Sequence, residues 1–326
     1  MRRFHRTSPR DSSRRRLWVY LAVGLFLLAD IYLVATALTS TRAETSLPDS
    51  PPPAALVPTA TPVPSPTGSV AASVSPVPLT RILSAVSSTI AWRAVTGTCP
   101  DPLAEPAVST DGGASWTATD ANGPTEVTAL QSIDATNESV AQFVGFAEED
   151  CSPQVVRTFV AGDNYSSSED ELDTMWFVDP ADRSELHGPA GFQPAPCDAV
   201  VSLAPSSDAD SAAVLCADGR LFATTDAATT WSPPVTVAGI VTVTATSTGY
   251  LAVATTTGTT TATDCIGVNL VALTADLTPT VTGCYPTEQT PAALAGNVAV
   301  AAADDTLWLW IGDATLRSTD AGRTWL

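Results

Sequence analysis

The sequence predicts an all-β protein, a β-propeller of five four-stranded blades, preceded by one transmembrane helix. Three observations carry this. An eight-residue pattern, Ser/Thr-x-Asp-x-Gly/Ala-x-Ser/Thr-Trp, recurs at intervals close to the length of one blade. Short runs of alternating Val, Thr, Ala and Leu, punctuated by Pro and Gly, fill the chain after residue 80. A long apolar run comes after an Arg-rich N-terminus.

The pattern is complete three times: Ser109-Thr-Asp111-Gly-Gly113-Ala-Ser115-Trp116, Thr224-Thr-Asp226-Ala-Ala228-Thr-Thr230-Trp231 and Ser318-Thr-Asp320-Ala-Gly322-Arg-Thr324-Trp325. Two degenerate copies are Thr274-Ala-Asp276-Leu-Thr278-Pro-Thr280-Val281 and Ser168-Glu-Asp170-Glu-Leu-Asp-Thr174-Met-Trp176, the latter with one extra residue before Trp176. Each reads as a hairpin turn. The Asp carboxylate accepts from turn N–H groups that would otherwise lack partners. The Gly suits a positive φ, and the Trp pins the hairpin to a neighbouring sheet. These roles are structural, not catalytic.

The pattern resembles the Asp-box, or BNR repeat, of sialidases, sortilin-type receptors and photosystem assembly factors. That resemblance covers residues 80–326 and implies a propeller with the boxes in the c–d turns, c and d being the third and fourth strands of a blade. Sialidases additionally need an Arg triad, a Tyr nucleophile with a Glu partner, an acid Asp and a Phe/Tyr-Arg-Ile-Pro motif. Here Thr80-Arg81-Ile82-Leu83 keeps two of the four motif positions, and Arg323 lies inside a box. The resemblance therefore extends to the fold and not to the active site.

In chain order, residues 1–16 form a basic cytoplasmic tail containing seven Arg. Residues 17–39 are long enough to span a bilayer, and the positive-inside rule places the remainder of the chain outside. Asp30 interrupts the run. It marks either a helix–helix contact in an uncleaved anchor or the end of a signal-peptide core, with Ala35-Thr-Ala37 as cleavage site. Residues 40–78 are a Pro/Ser/Thr-rich extracytoplasmic stalk, too poor in apolar residues to build a core. Residues 79–326 carry the propeller. Ile82-Leu-Ser-Ala-Val-Ser, Ile90-Ala-Trp-Arg-Ala-Val-Thr, Ala199-Val-Val-Ser-Leu, Ala212-Ala-Val-Leu and Arg220-Leu-Phe-Ala-Thr read as its strands. No strand d comes after the last box, so part of 68–80 is expected to pair beside residues 314–318 and close the ring.

There is no Lys, and residues 43–326 hold seven Arg against 32 acidic residues. That balance disfavours nucleic acid as a partner. The Ala/Thr/Pro/Val bias without Lys matches a GC-rich, actinobacterial coding background. Six Cys outside the membrane read as three disulfides. Cys197 starts strand a and Cys216 ends strand b of one blade, and Cys265 starts c and Cys284 ends d of the next, so each pair is adjacent across antiparallel strands. Cys99 and Cys151 are left to pair, and all six fall on the face opposite the boxes. No metal-ligand, phosphate-loop or cofactor motif is present, and no catalytic residue is assigned. His187 reads as a surface residue of a Gly/Pro-flanked loop, and Glu148-Glu149-Asp150 as a solvated hairpin tip.

The expected function is a membrane-anchored, extracytoplasmic, non-catalytic binding or scaffold module of the cell envelope, contacting a protein or glycan on the cysteine-bearing face. The alternatives are an exo-sialidase-like glycoside hydrolase and an assembly factor for a membrane complex.

Overall fold

A computed structural model describes residues 75–255 and 265–326. The expectations for the cytoplasmic tail, the membrane-spanning run and nearly all of the stalk lie outside these residues. Among the described residues no helix is long and apolar enough to cross a membrane.

Five antiparallel sheets succeed one another along the chain. Blade 1 comprises β1 (Arg81–Ala85), β2 (Ala91–Val95), β3 (Ala107–Ser109) and β4 (Thr117–Ala118). Blade 2 has β5 (Val127–Ala135), β6 (Ala141–Ala147), β7 (Pro153–Thr158) and β8 (Ser166–Ser168). A small hairpin comes next, β9 (Glu185–Gly188) with β10 (Gly191–Pro194). Blade 3 has β11 (Val200–Pro205), β12 (Ala212–Cys216), β13 (Arg220–Thr224) and β14 (Val235–Thr236). Blade 4 has β15 (Ile240–Thr246), β16 (Gly249–Thr255), β17 (Gly267–Leu273) and β18 (Pro279–Pro286). Blade 5 has β19 (Val298–Ala303), β20 (Thr306–Ile311) and β21 (Ala314–Ser318). Within each blade the strands pair in sequence order, the inner strand first. This is the five-bladed propeller that the box spacing and strand alternation predict.

The fifth sheet closes differently from the expectation. Its outer position is held by Leu326, which exchanges backbone hydrogen bonds with Arg317 (2.9 and 3.2 Å). The segment expected beside residues 314–318 goes elsewhere over its described part. Thr80 donates from its backbone N–H to Gly296 O (2.8 Å) and from its hydroxyl to Asn297 Oδ1 (2.8 Å), at the entry to β19. Residues 75–80 thus lead straight into the innermost strand β1, and residues 68–74 of the expected segment lie outside the described residues.

Four turns joining strands c and d share one backbone. Residues four and five of each have positive φ: Gly112 and Gly113, Ala161 and Gly162, Ala227 and Ala228, Ala321 and Gly322. The first hydroxyl of each caps the N–H of the fifth residue, as Ser109 Oγ from Gly113 (2.9 Å), Thr224 Oγ1 from Ala228 (3.1 Å) and Ser318 Oγ from Gly322 (2.9 Å). Asp111, Asp226 and Asp320 accept from the backbone and hydroxyl of the seventh residue, Ser115, Thr230 and Thr324, at 2.6–2.9 Å. In blade 4, Asp276 binds the Thr274 and Thr278 hydroxyls around a tighter turn, with Leu277 alone at positive φ.

The box of blade 2 lies at Thr158–Tyr165 rather than at Ser168. Thr158 Oγ1 caps Gly162 N–H (2.9 Å), Val160 stands where Asp stands elsewhere, and the Tyr165 hydroxyl is 2.6 Å from Thr119 Oγ1 of blade 1. Asp170 and Trp176 are therefore not box residues, because the paired positive-φ turn comes ten residues earlier in the chain.

Trp176 belongs to a wedge between blades 2 and 3. Phe177 and His187 exchange backbone bonds (2.9 and 3.1 Å), adding an extended segment to β9 and β10. Met175 and Phe177 pack on Val144, Phe146 and Val155 of blade 2. Trp176 and Val178 pack on Val200, Val214 and Phe222 of blade 3. Strand alternation places successive side chains in opposite seams.

Three of the remaining seams differ sharply from the fourth. Aliphatic clusters join blades 3 and 4 through Leu221, Val243 and Leu273, and blades 4 and 5 through Leu251, Leu270 and Leu309. Trp92, Val127 and Phe143 join blades 1 and 2. The seam that closes the ring, blade 5 on blade 1, alternates cations with rings. Arg81 lies over Trp310 (4.6 Å), and Arg93 lies over both Trp310 (4.7 Å) and Trp116 (4.1 Å). Trp116 meets Trp308 edge-on, and Trp308 Nε1 donates to Ser87 O (2.8 Å). Arg93 donates to Thr315 Oγ1 (2.8 Å), Arg81 to Gly312 O (2.6 Å) and Arg317 to Ser88 O (2.6 Å). Gly112 and Gly113 are required here twice over. They hold positive φ, and a Cβ would lie 2.3 Å from the Arg317 guanidinium and 3.1 Å from the Trp308 ring.

Replacing Trp310 by Ala is expected to cost about 3–5 kcal/mol, as for other large buried aromatics, with Trp310→Phe retaining much of the stability. Denaturant unfolding of the full chain measures both, and a Trp310→Ala loss below about 1 kcal/mol would show that the ladder does not hold the seam. The boxes predict a pH dependence. Hydrogen bonds from Ser115 and Ser109 hold Asp111 at about 2, and those from Thr324 and Ser318 hold Asp320 at about 2. Folded values lie below the unfolded value of about 4, so this stabilisation is complete above pH ~4 and lost as pH falls toward ~2. Asp320→Asn should lower Tm at neutral pH and flatten its decline between those limits. Parallel profiles for wild type and variant would refute the assignment.

Candidate functional site

Five inner strands converge on the ring axis and leave a channel of about 480 Å³. Its wall is made of residues 81–85, 131–134, 174–176, 202–207, 242–245 and 299–302, so every blade and the wedge contribute. The volume falls in the range of small-molecule and peptide pockets, roughly 300–1,000 Å³. Strand direction gives the channel two unlike mouths. Inner strands begin on the cysteine-bearing face, where Arg81 opens β1, and end on the box face, where Asp134 lies near the end of β5.

The wall is polar because three inner strands are bulged. Register shifts fall between Thr128 and Ser132, between Val200 and Ser202, and between Ile240 and Thr242. A hydroxyl stands after each bulge. Ser202 Oγ donates to Val243 O (3.2 Å) and accepts from Val243 N–H (3.3 Å), fastening blade 3 to blade 4. Ser84 Oγ accepts from Ala135 N–H (3.3 Å), fastening blade 1 to blade 2. Ser132 Oγ is buried and has no hydrogen-bond partner among the described residues. Residues 174–176 stand in the wall between β5 and β11, where its counterpart would otherwise be.

A smaller chamber of about 80 Å³ opens beside the channel and shares Ile82, Gln131, Ser132 and Trp176 with it. Arg183, Thr96 and Ser202 complete its polar lining. Burial lowers the pKa of Arg183, of Arg81 and of Arg93, and the Arg81 charge adds to the effect on Arg93.

The disulfides are Cys99–Cys151, Cys197–Cys216 and Cys265–Cys284, with Cα separations of 5.8, 6.2 and 5.9 Å, inside the usual span of about 4.4–6.8 Å. All bridge the face where inner strands begin. His187 is not a surface residue. It is 7% exposed, stacked on Phe177 (4.8 Å) with its Nδ1 2.8 Å from Met175 O. Gly188 and Pro189 flank it because it lies in β9 next to a tight turn, which the sequence pattern alone reads as loop. Glu148, Glu149 and Asp150 form the exposed hairpin tip between β6 and β7.

The Arg side chains do not assemble into a carboxylate clamp. Arg157 pairs with Glu171 and Arg220 with Asp218, while Arg81, Arg93 and Arg317 serve the closing seam. Among the described residues, neither Tyr nor Glu lines the channel. Burial raises Tyr165 to about 12, opposite to what a nucleophile requires. The bulged inner strands, the wedge and the orphaned Ser132 were not legible in the sequence, since each depends on which strand neighbours which.

No protein-family model matches the chain, and no curated protein matches it. Among solved structures it is similar to YCF48 from Cyanidioschyzon merolae, at 14% identity and TM-score 0.39, covering 77% of this chain and 86% of that one. It is similar to YCF48 bound to D1 peptide, at 14% identity and TM-score 0.37, covering 77% and 81%. It is also similar to the GH74 xyloglucanase from Xanthomonas campestris, at 14% identity and TM-score 0.30, covering 75% and 37%. Likeness at this level assigns neither activity nor ligand.

Ser202 is expected to fasten the channel wall. Ser202→Ala removes two interblade bonds at a buried position and should destabilise by about 1–3 kcal/mol. Chemical denaturation checks this, and a change within about ±0.5 kcal/mol would count against the role.

Proposed function

We propose that this chain is a non-catalytic binding module whose central channel receives a segment of a partner protein from the cysteine-bearing face. The observation that carries this reading is the distribution of charge and hydrogen-bonding groups in the channel. The wall presents hydroxyls from several blades, and Asp134 is its one carboxylate among the described residues, while the Arg81 guanidinium is committed to Gly312 and Trp310 in the closing seam. General acid–base chemistry needs two ionisable groups within reach of one reacting bond, whereas recognition of an extended segment uses donors and acceptors spread along its length. The Asp-box resemblance, carried by Asp111, Asp226 and Asp320, supports a scaffold in which the repeated turns stabilise blades and leave the axis for ligand.

The same reading places the module outside the cell, held at the membrane by residues 17–39 and spaced from it by the Pro-rich stalk. Three disulfides in a chain rich in acidic residues support an oxidising, extracytoplasmic address. Tethering in this way suits a scaffold or assembly role for a membrane-associated partner.

A photo-crosslinking residue at Ala302, on the channel wall, is expected to capture a partner in membranes of the native cell, whereas one at the exposed outer-strand residue Ser167 is not. The same protein is expected not to hydrolyse a fluorogenic sialoside. Equal capture from both positions would overturn the channel assignment. Sialoside turnover that vanishes in Arg81→Ala would replace the binding reading by the glycosidase one.

A further inference from the structure

The side chamber, lined by residues of blades 1, 2 and 3 and of the wedge, presents several donors. Arg183 uses Nη1 on Val200 O (3.2 Å) and forms no ion pair among the described residues. Ser132 Oγ is buried without a partner among those residues. Gln131 spends its amide nitrogen on Thr96 Oγ1, Gly97 O and Ala129 O, each at 2.9 Å. These are three acceptors for two N–H groups, and the Thr96 O–H has no acceptor among the described residues, so it is available to donate. Trp176, Phe177 and Val178 wall off the other side with apolar surface.

Among the described residues no carboxylate lines this space, in a chain whose Asp and Glu outnumber its Arg 34 to 15. Arg183 is partly desolvated, Asp179 acts on its charge from outside the lining, and the unsatisfied Ser132 hydroxyl lines the same space; both groups gain from an acceptor there. A planar group with two acceptor oxygens meets both demands, and Arg is the side chain best shaped to bind it. The volume of about 80 Å³ is several times the roughly 10–15 Å³ that one water needs on the same measure, which leaves room for a small carboxylate head group.

We propose that this chamber is a binding site for a small carboxylate, held by the Arg183 guanidinium and by the hydroxyls of Ser132 and Thr96. The site is separate from the ladder arginines and does not depend on the channel's holding a partner. The carboxylate has two sources, a free small acid or the terminal carboxylate of a peptide entering through the channel, with which the chamber is continuous.

The test titrates the full chain with ¹³C-labelled acetate, followed by its carboxylate resonance, with acetamide as the neutral match. Saturable binding of acetate and not of acetamide is expected. Arg183→Gln should weaken it at least tenfold. Ser132→Ala, which leaves the Arg183–Val200 bond intact, should weaken it severalfold with Tm unchanged. A second arm compares a short peptide with a free C-terminus against the same peptide amidated. Tighter binding of the free-acid peptide than of acetate identifies the terminal carboxylate as the ligand, and equal or weaker binding identifies the free acid. Equal affinity for acetate and acetamide, no saturation by any carboxylate, or full retention in both variants overturns the proposal.

Discussion

The stacking of Arg81 and Arg93 on Trp310 and Trp116 is the contact on which the ring depends. Each blade is a separate sheet, and a sheet in this arrangement is stable only with a neighbour on both faces. Four junctions run in chain order, so their partners are near in sequence. The fifth joins residues more than 200 apart, with no strand shared between the first and last blades among the described residues. Apart from the Thr80–Gly296 backbone bond, the hydrogen bonds described across this closure all involve side chains. Guanidinium is planar, weakly hydrated and able to hydrogen-bond at its edge while its face lies on a ring. That is how Arg93 can lie over two Trp rings and still reach Thr315, and how Arg81 covers Trp310 and reaches Gly312. An aliphatic seam would have matched the other junctions in apolarity, but it would have lacked these edge-directed bonds, which fix the relative height of blades 5 and 1.

The boxes show which part of a repeated turn is indispensable. Blade 2 retains the first hydroxyl and the pair of positive-φ residues, and lets Val160 stand in the acidic position. Blade 4 retains the acid and hydroxyl but shortens the turn. The hydroxyl cap is common to all five, because it satisfies an N–H inside the turn that no strand partner can reach. The carboxylate adds bonds on the exposed side. The eighth-position aromatic docks on the preceding blade, as Trp325 on Tyr285 and Tyr165 on Thr119 do.

The wedge links architecture to the candidate site. It stands between β5 and β11, and there Ser132 lacks the kind of partner that Ser202 finds in Val243. It also supplies Arg183 and the apolar wall opposite. The polar chamber is thus a consequence of breaking the ring's regular spacing at one place, while the regular places use their hydroxyls to join strands.

What the sequence determined by itself is what local chemistry repeats. The hydroxyl–carboxylate turns at 109, 224 and 318 need only a hydroxyl, a carboxylate and small residues at fixed spacing, and the structure builds each at the end of the third strand of its blade. Strands such as Arg220–Thr224 and Ala212–Cys216 were legible from alternation, and the disulfide partners from their adjacency across antiparallel pairs. Ser168–Trp176 matched the pattern in composition and failed in conformation, since the turn is set by two φ angles that residue types alone do not fix. Ring closure, the wedge and the chamber were decided only in three dimensions. Each depends on side chains far apart in sequence meeting across a seam, such as Arg93 with Thr315 or Thr96 with Gln131. No local period encodes which strand becomes another's neighbour.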